Sequence, residues 1–575
     1  ERSGGNAFYL EELIRAAAEG TGDLPDSVLA MVQTRLDALG HEAKRVLRAA
    51  SIFGESFWTS GVEALLGEGA IGVAEWLEEL ARREAIGAAA GSRFPSEREW
   101  RFRHALVRDG AYALLTNEDR ALGHRLAGRW LERMGEHDAA VLAEHFDRGG
   151  ERTEAVRWFR RAADQALEGN DLEAVVQRVA RAAAAGASGA ELGALRAIES
   201  LARYWQSDYA GAKARGEEAA ALLPPGSRDW YRALGSAIVA SARLGDFASL
   251  DASFAEVLRS TAEPGELAEQ VIALCRGTFQ LIFSTRFAEA DDVLARIAQM
   301  VGDGAGLDAL TMGQVHHVRG VRAAMVGDVS TFLEHLSRAV DAFERAGDVR
   351  NVLLERTTVA WCHAELGDFA RAEALCRENL ARCEAMGAQQ AITYAKVNLG
   401  YFLIHRPGQR GRARAVLEEA IRECREVNNP RLEGWALAHL ASAEHYDGRH
   451  VEGERAARRA CDRLGGSPGL HAWAKASLAR ALAMLGRGDE ALSLAESAME
   501  ALARLGGLLQ GESLPPLALA MARHAVGDEA GARTAIEEAR SRLAERARRI
   551  ADPAQRSGFL SHPDNRAIES WAPGE

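Results

Sequence analysis

Apolar runs long enough to cross a bilayer are missing from this chain, and so is any surplus of positive charge. A membrane helix needs about 20 consecutive apolar residues, and no stretch approaches that, so no membrane partner is expected. The formal net charge is −13, the wrong sign for general affinity to nucleic acid, which wants a basic surface. Cysteine is scarce. The six residues, from Cys275 to Cys461, form no C-x-x-C pair, which fits buried thiols in a reducing compartment such as the cytoplasm rather than a disulfide framework or a metal site. A phosphate-cradling G-x-x-x-x-G-K-[ST] loop and an acidic strand end for magnesium are also absent from the sequence, and without them ATP hydrolysis by this chain alone is not expected. The histidines at 316–317 and at 439, 445 and 450 lack the i, i+4 spacing and carboxylate partner of a helical metal site. Adjacent acids such as Glu418-Glu419 and Glu537-Glu538 point to different sides of a helix and make no acid–base pair. No catalytic residue, metal or cofactor is therefore assigned to this chain.

What the sequence does hold is repetition. The clearest copy reads Leu366-Gly367-Asp368-Phe369, then Ala372, Cys376 and Asn379 at helical spacing. A small residue falls five places after the first glycine, and the equivalent positions are Ala174, Ala212, Leu250, Ala290, Phe332, Ala372, Ala413, Gly453, Ala491 and Ala532, in steps of roughly 38 to 42. A period of this length without strand-like runs predicts a helical solenoid in which each unit is a helix, a Gly-Asp turn and a second helix. Glycine ends the first helix in the left-handed conformation it adopts cheaply, and aspartate caps the next. Leu250 and Phe332 are bulky where alanine is usual, and Thr285 replaces a turn glycine. The frame resembles the tetratricopeptide repeat, in long and degenerate copies, over about two thirds of the chain.

Ahead of the array the texture changes. Residues 1–40 read as two helices, at 7–18 and from Pro25 onward, too little for a domain. Since the chain opens in the middle of such a segment, it is expected to be part of something longer. Residues 41–118 show three short helical patterns (42–52, 59–66 and 71–84), a short strand at 85–90, a polar loop at 91–99 and the alternating run Trp100-Arg101-Phe102-Arg103-His104. Three helices followed by a two-stranded hairpin predict a winged helix. Winged helices often read DNA through the third helix, but here that helix carries Glu75, Glu78, Glu79 and Glu84 against Arg82 and Arg83. Four glutamates repel phosphate, so DNA is not the expected partner. Residues 119–185 are helical but off-register and read as a coupling region, 186–550 as the repeat array, and 551–575, with Pro553, Pro563 and Pro573, as a poorly ordered tail.

Two segments add a family resemblance. Gly5-Asn6-Ala7-Phe8-Tyr9-Leu10-Glu11-Glu12-Leu13 resembles the segment that closes the nucleotide-binding module of the STAND class of signal-transduction ATPases, and Phe102-Arg103-His104-Ala105-Leu106-Val107-Arg108-Asp109, continuing to Tyr112, resembles the histidine motif at the end of their winged-helix domain. A repeat array downstream completes that layout, and the run from Ile550 to Leu560 resembles its usual end. Bacterial proteins that join an ATPase core to a kinase or nucleotide cyclase are the relatives implied. The resemblance implies an all-α architecture, a small winged-helix domain followed by a tetratricopeptide-like α-solenoid, and an upstream ATPase core in cis that uses ATP or ADP with magnesium. It places His104 at the ADP β-phosphate and Asn6 and Ala7 beside the nucleotide, with Ala7 standing where the family has proline. An imidazole can donate to a phosphate oxygen. Equally, His104 can be a core histidine sharing a strand face with Trp100 and Phe102.

In a stacked array the first helix of each unit lines the inner curve. The inner face is expected to use 315–324, 352–366, 391–404 and 432–445, and a protein or peptide signal to meet Arg319, Arg356, Trp361, Tyr394, Asn398, Tyr401 and Trp435, with His316 and His439 nearby. Clustered aromatic and arginine side chains are what binding hot spots consist of. Arg319, Arg356 and Asn398 are favoured as contacts because packing alone gives them nothing, whereas Trp361 and Trp435 can also simply fill the core. Two functions follow: the sensing and regulatory arm of a STAND ATPase, or a repeat scaffold or transcription regulator whose winged helix touches DNA or protein.

Overall fold

The computed structural model describes residues 36–67, 71–302 and 306–571. The segment at 5–13 with Asn6 and Ala7, the helix expected at 7–18 and most of the one expected from Pro25 lie outside the described residues. The rest divides into two compact units, one reaching Arg203 and taking in Ala221–Leu223, the other holding Tyr204–Ala220 and everything from Pro224.

The first unit opens with α1 (His41–Phe53), β1 (Ser56–Trp58), α2 (Thr59–Leu66), α3 (Val73–Arg82), β2 (Ile86–Ala88), β3 (Glu99–Phe102) and α4 (Ala105–Ala113). The sheet has three strands in the order β1-β3-β2, all antiparallel, with Phe57 opposite Trp100 and Ile86 opposite Phe102. The expected two-stranded hairpin is thus one strand short. β1 spans three residues, too few for alternation to show in sequence, and pairing with the outer edge of β3 is what makes it a strand. Trp100 and Phe102 turn inward onto Leu47, Leu77 and Leu80, and the Trp100 indole N–H donates to Thr59 Oγ1 at 3.0 Å. The loop at 91–99 is tied down: Phe94 packs on Trp58 with ring centroids 4.9 Å apart, and Trp58 donates to Ser92 Oγ at 3.2 Å. The helices that follow are α5 (Asn117–Arg133), α6 (Ala139–Arg148), α7 (Arg152–Glu168) and α8 (Leu172–Ala184), built on a second core around Trp130, Phe146 and Phe159.

Helices α9 (Gly189–Trp205) and α10 (Tyr209–Leu222) have residues in both units. The second unit is a run of helix pairs: α11 (Arg228–Leu244) with α12 (Phe247–Arg259), α13 (Leu267–Phe283) with α14 (Phe287–Val301), α15 (Ala309–Met325) with α16 (Val329–Ala346), α17 (Val349–Glu365) with α18 (Phe369–Ala385), and α19 (Gln389–Ile404) with α20 (Arg410–Glu426). It continues with α21 (Pro430–Tyr446) and α22 (His450–Leu464), α23 (Pro468–Met484) and α24 (Gly488–Leu505), and α25 (Leu514–Ala525) and α26 (Glu529–Arg549). This is a tetratricopeptide-like α-solenoid. The turn chemistry is what builds it. Asp246, Asp328, Asp368 and Asp528 each accept the backbone N–H three residues on, at 2.9–3.1 Å. The residue before the cap is left-handed whether or not it is glycine: φ is +83° at Gly367 and +63° at Thr285. The frame therefore forces on threonine a conformation that a β-branched residue avoids. Phe332, bulky where the close approach needs a small residue, is accommodated by Gly320 on the facing helix, where an added Cβ would sit 3.1 Å from its ring.

The chain then makes two more helices, α27 (Pro553–Ser561) and α28 (Pro563–Ser570). The expectation of a poorly ordered tail over these residues is corrected. Asp552 caps α27 through the N–H groups of Ala554 and Gln555, Phe559 and Ile568 are buried, and both prolines occupy first helical positions, where their missing N–H costs nothing. Among the described residues no helix is long and apolar enough to cross a membrane, and no cluster of metal-ligating side chains is present.

Candidate binding groove

Curvature in the second unit follows from which helices touch. Successive first helices, such as α11 and α13, α13 and α15, or α21 and α23, pack against one another far more than successive second helices do. The first helices therefore lie on the tighter, inner arc. Residues far apart in sequence then meet across that arc. The Arg431 guanidinium lies 5.0 Å from the Phe283 ring centre, and Arg350 lies 5.7 Å from that of Trp205. The Trp361 indole N–H donates to Gln510 Oε1, 149 residues away, at 2.7 Å. The inner face is a groove.

One half of it is filled by α27 and α28, against Glu365, Tyr401 and Tyr446. The Tyr401 hydroxyl donates to Glu365 Oε1 at 2.8 Å and meets His562 Nε2 at 2.9 Å, while His562 Nδ1 accepts the Asp564 N–H at 3.3 Å. With Nδ1 accepting, Nε2 carries the proton and donates to Tyr401, so the chain of bonds runs His562 to Tyr401 to Glu365. Asp564 is held by the Tyr446 hydroxyl at 2.7 Å and by Arg480 at 3.3 Å. Burial works against its charge, but the Arg480 guanidinium prevails and its carboxyl falls to about 2. Burial drives Glu365 the other way, upward, and pushes His405 and His439 down to about 3. Backbone meets backbone as well: a Cβ on Gly367 would run into the Gly558 carbonyl. What space remains, lined by Glu365, His439, Arg546 and Asp564, amounts to about 20 Å³, room for about one water molecule.

The structure distributes the expected contact residues unevenly. Trp361 and Tyr401 are buried and occupied by the chain's own Gln510, Glu365 and His562. His439 is buried, stacked 4.7 Å from Tyr401. Asn398, expected to gain nothing from packing, is fully buried and donates to the Tyr394 carbonyl at 2.9 Å. Arg356 likewise departs from its expected freedom, pairing with Glu344 at 2.6 Å and Glu378 at 3.5 Å on second helices, so it points away from the inner arc. Arg319 is half-buried beside His316 and His335, whose Nδ1 atoms lie 3.1 Å apart. Tyr394 and Trp435 are half-buried, 5.8 Å apart ring to ring, and belong to the half that α27 and α28 leave open. Sequence reasoning passed over Arg243, Arg276 and Arg431, which also lie in that half. Their signal, arginine on first helices, becomes visible only once repeats distant in sequence are brought together.

In the first unit, His104 stands just beyond β3 as the N-terminal cap residue of α4, half-buried, its carbonyl accepting the Val107 N–H at 3.1 Å. It does not share the inward strand face of Trp100 and Phe102, because β3 ends at Phe102. Tyr112, from the same motif, bonds His124 Nε2 at 2.8 Å, and His124 Nδ1 faces His145 Nδ1 at 3.1 Å. Burial holds these two imidazoles down, to about 4 and about 3. On α3, Arg82 and Arg83 both pair with Glu79, and Glu78 takes Arg98.

No family model matches this sequence, and no curated protein matches it. Among solved structures the chain is similar to a Rap protein complexed with competence and sporulation factor, at 12% identity over 59% of this chain and 96% of that one, with a TM-score of 0.45. It is also similar to a STAND protein with a tetratricopeptide repeat sensor from Pyrococcus horikoshii, at 13% identity over 84% of this chain and 66% of that one, TM-score 0.38. A third is NprR in complex with its cognate peptide NprX, at 10% identity over 58% and 97%, TM-score 0.41. Likenesses of this size speak to neither ligand nor partner.

Proposed function

We propose that this chain is the sensing and regulatory arm of a STAND-type ATPase: the open half of the repeat groove receives a peptide or protein signal, and the small sheet-bearing domain, read as a winged helix, passes the outcome to an ATPase core in cis. The observation that carries the reading is the division of the inner arc. One half is sealed by the chain's own α27 and α28, and the other presents Tyr394, Trp435, Arg276 and Arg431, each half-buried, with Arg243 exposed. Aromatic and arginine side chains in a concave setting form binding hot spots, and their polar tips and apolar bodies suit a peptide main chain and its side chains. His104, at the entrance to α4, keeps its assignment to an ADP phosphate held by that core, with ATP or ADP and magnesium belonging to the core and no catalytic group to this chain. Reading of DNA by α3 is disfavoured, since both arginines of that stretch are already bound to Glu79.

A display library of random short peptides tests the groove. Selected peptides should compete with one another and lose binding when Trp435→Ala is introduced, while Arg338→Glu, on the exposed outer helix α16, leaves them bound. A library that yields no binder, or binders indifferent to Trp435, contradicts the reading.

A further inference from the structure

Most arginines in this acidic chain have carboxylates beside them: Arg286 lies between Asp251 and Glu289, and Arg414 between Glu444 and Asp447. Three do not. Arg243 ends α11, Arg276 lies within α13 and Arg431 opens α21. Among the described residues none of the three has a carboxylate at ion-pair distance. They share a neighbour instead. Arg243 reaches toward the Tyr204 hydroxyl, and Arg276 and Arg431 lie within electrostatic range of the same group. The acid nearest in influence to Arg276 is Glu269, which is already engaged by Arg228 at 3.2 Å and Arg232 at 2.9 Å. Asp348, which also acts on Arg276, caps α17 by accepting the Asn351 N–H at 3.2 Å, and Glu355 faces His317 at 2.6 Å. Arg243 is open to solvent, as expected of a side chain projecting into a groove. Burial and the Arg243 charge together bring Arg431 down to about 10. The chamber is short of negative charge.

Apolar surface lies beside the cations. Phe279 and Phe283 are 4.6 Å apart, with Arg431 over Phe283 at 5.0 Å. Trp435 packs against Tyr394, and its indole N–H is buried with no acceptor. Such an orphaned donor costs free energy until an acceptor arrives. A bare inorganic anion would satisfy the guanidiniums and leave the rings and the indole unused.

Resting on the groove reading above, we infer that the open half takes an acidic peptide, whose carboxylates sit among Arg243, Arg276 and Arg431 while apolar neighbours pack on Phe283 and Trp435 and a main-chain carbonyl accepts the Trp435 N–H. Guanidinium and carboxylate make charge-assisted, bidentate bonds that Lys or a neutral donor cannot match. Glutamine in place of glutamate removes that charge and keeps the shape.

The test is calorimetric titration of the whole chain with a short synthetic peptide alternating leucine and glutamate, with its glutamine counterpart, and with inorganic phosphate. The glutamate peptide should bind about tenfold more tightly than the glutamine peptide for each carboxylate engaged, the usual size of a hydrogen bond to a charged group, and more weakly as salt is raised. Arg243→Glu with Arg431→Glu should remove the preference, and Arg338→Glu should keep it. Should the double reversal disturb folding, Arg431→Gln, checked by an unchanged melting curve, should still weaken the glutamate peptide about tenfold. Equal binding of the two peptides, displacement of the glutamate peptide by equimolar phosphate, or indifference to Arg431→Gln overturns the inference. If library peptides that need Trp435 prove neutral or basic, this inference falls while the groove reading stands.

Discussion

The two halves of the groove solve one problem in opposite ways. Both carry ionisable side chains on the inner arc, where burial makes an unmatched charge costly. In the sealed half the chain supplies the match itself: Asp564 comes to Arg480 and Tyr446, and His562 to Tyr401. In the open half Arg243, Arg276 and Arg431 have only hydroxyls, rings and already-committed acids for neighbours. The repeat scaffold thus neutralises one half internally and leaves the other cationic.

The contrast is most easily broken at Asp564. Asp564→Asn leaves the nearly buried Arg480 unmatched, at a cost of about 3 kcal/mol. It should abolish hydrogen-exchange protection over 553–570 while leaving exchange in α11 and α13 unchanged. Equal loosening of both halves would mean that they are not separate.

Acid and alkali should sharpen the contrast next. His405, His439 and His445 are pushed down to about 3 from an ordinary 6.5 by burial. The unfolded chain thus takes up protons first, and the stability they contribute, complete above 6.5, is lost as pH falls toward 3. His317 in the open half goes the other way: burial lowers it, but the Glu355 carboxylate prevails and the net shift is upward from 6.5. Its contribution is complete below 6.5 and lost as pH rises through the raised value. Exchange measured across pH should therefore show α27 and α28 loosening in acid and the junction of α15 with α17 loosening in alkali. The same direction in both would contradict the assignment.

A backbone comparison is smaller. Gly367 and Gly347 are both left-handed, at φ +83° and +72°, but only Gly367 faces the Gly558 carbonyl, while Gly347 faces open space. Alanine should cost about 1 kcal/mol at Gly347 from strain alone. At Gly367 it should cost that plus release of α27, seen as lost protection over 553–561. Smallest of all is Arg356→Glu, which puts three acids together with Glu344 and Glu378 on an exposed flank. Urea unfolding should report under about 1 kcal/mol, with no change in peptide binding.

Much of the fold was legible because the repeat is a local code. Gly367-Asp368 and the small residue at Ala372 specify a left-handed turn, a cap and a close approach without reference to the rest of the chain. Even Thr285 keeps the turn. What could not be read is what depends on distance. β1 is a strand only because β3 lies beside it. The residues after 551 look like a ragged end because their two short helices are ordered by Arg480, Tyr446 and Tyr401, up to 161 residues away. Among the expected contacts, Tyr394 and Trp435 belong to the open half, whereas Trp361 and Tyr401 lie on the inner face but are taken up internally. Arg431 and Arg243 escaped notice since nothing in a single repeat shows that they meet.

The central claim is that the open half of the inner arc is the receiving surface. Hydrogen exchange of the whole chain with and without a library-selected peptide tests it most directly. Protection should rise in α11, α13 and α21, with 553–570 and the outer second helices unchanged. Protection confined to the outer helices, or displacement of α27 and α28 with the arginine chamber untouched, would contradict it.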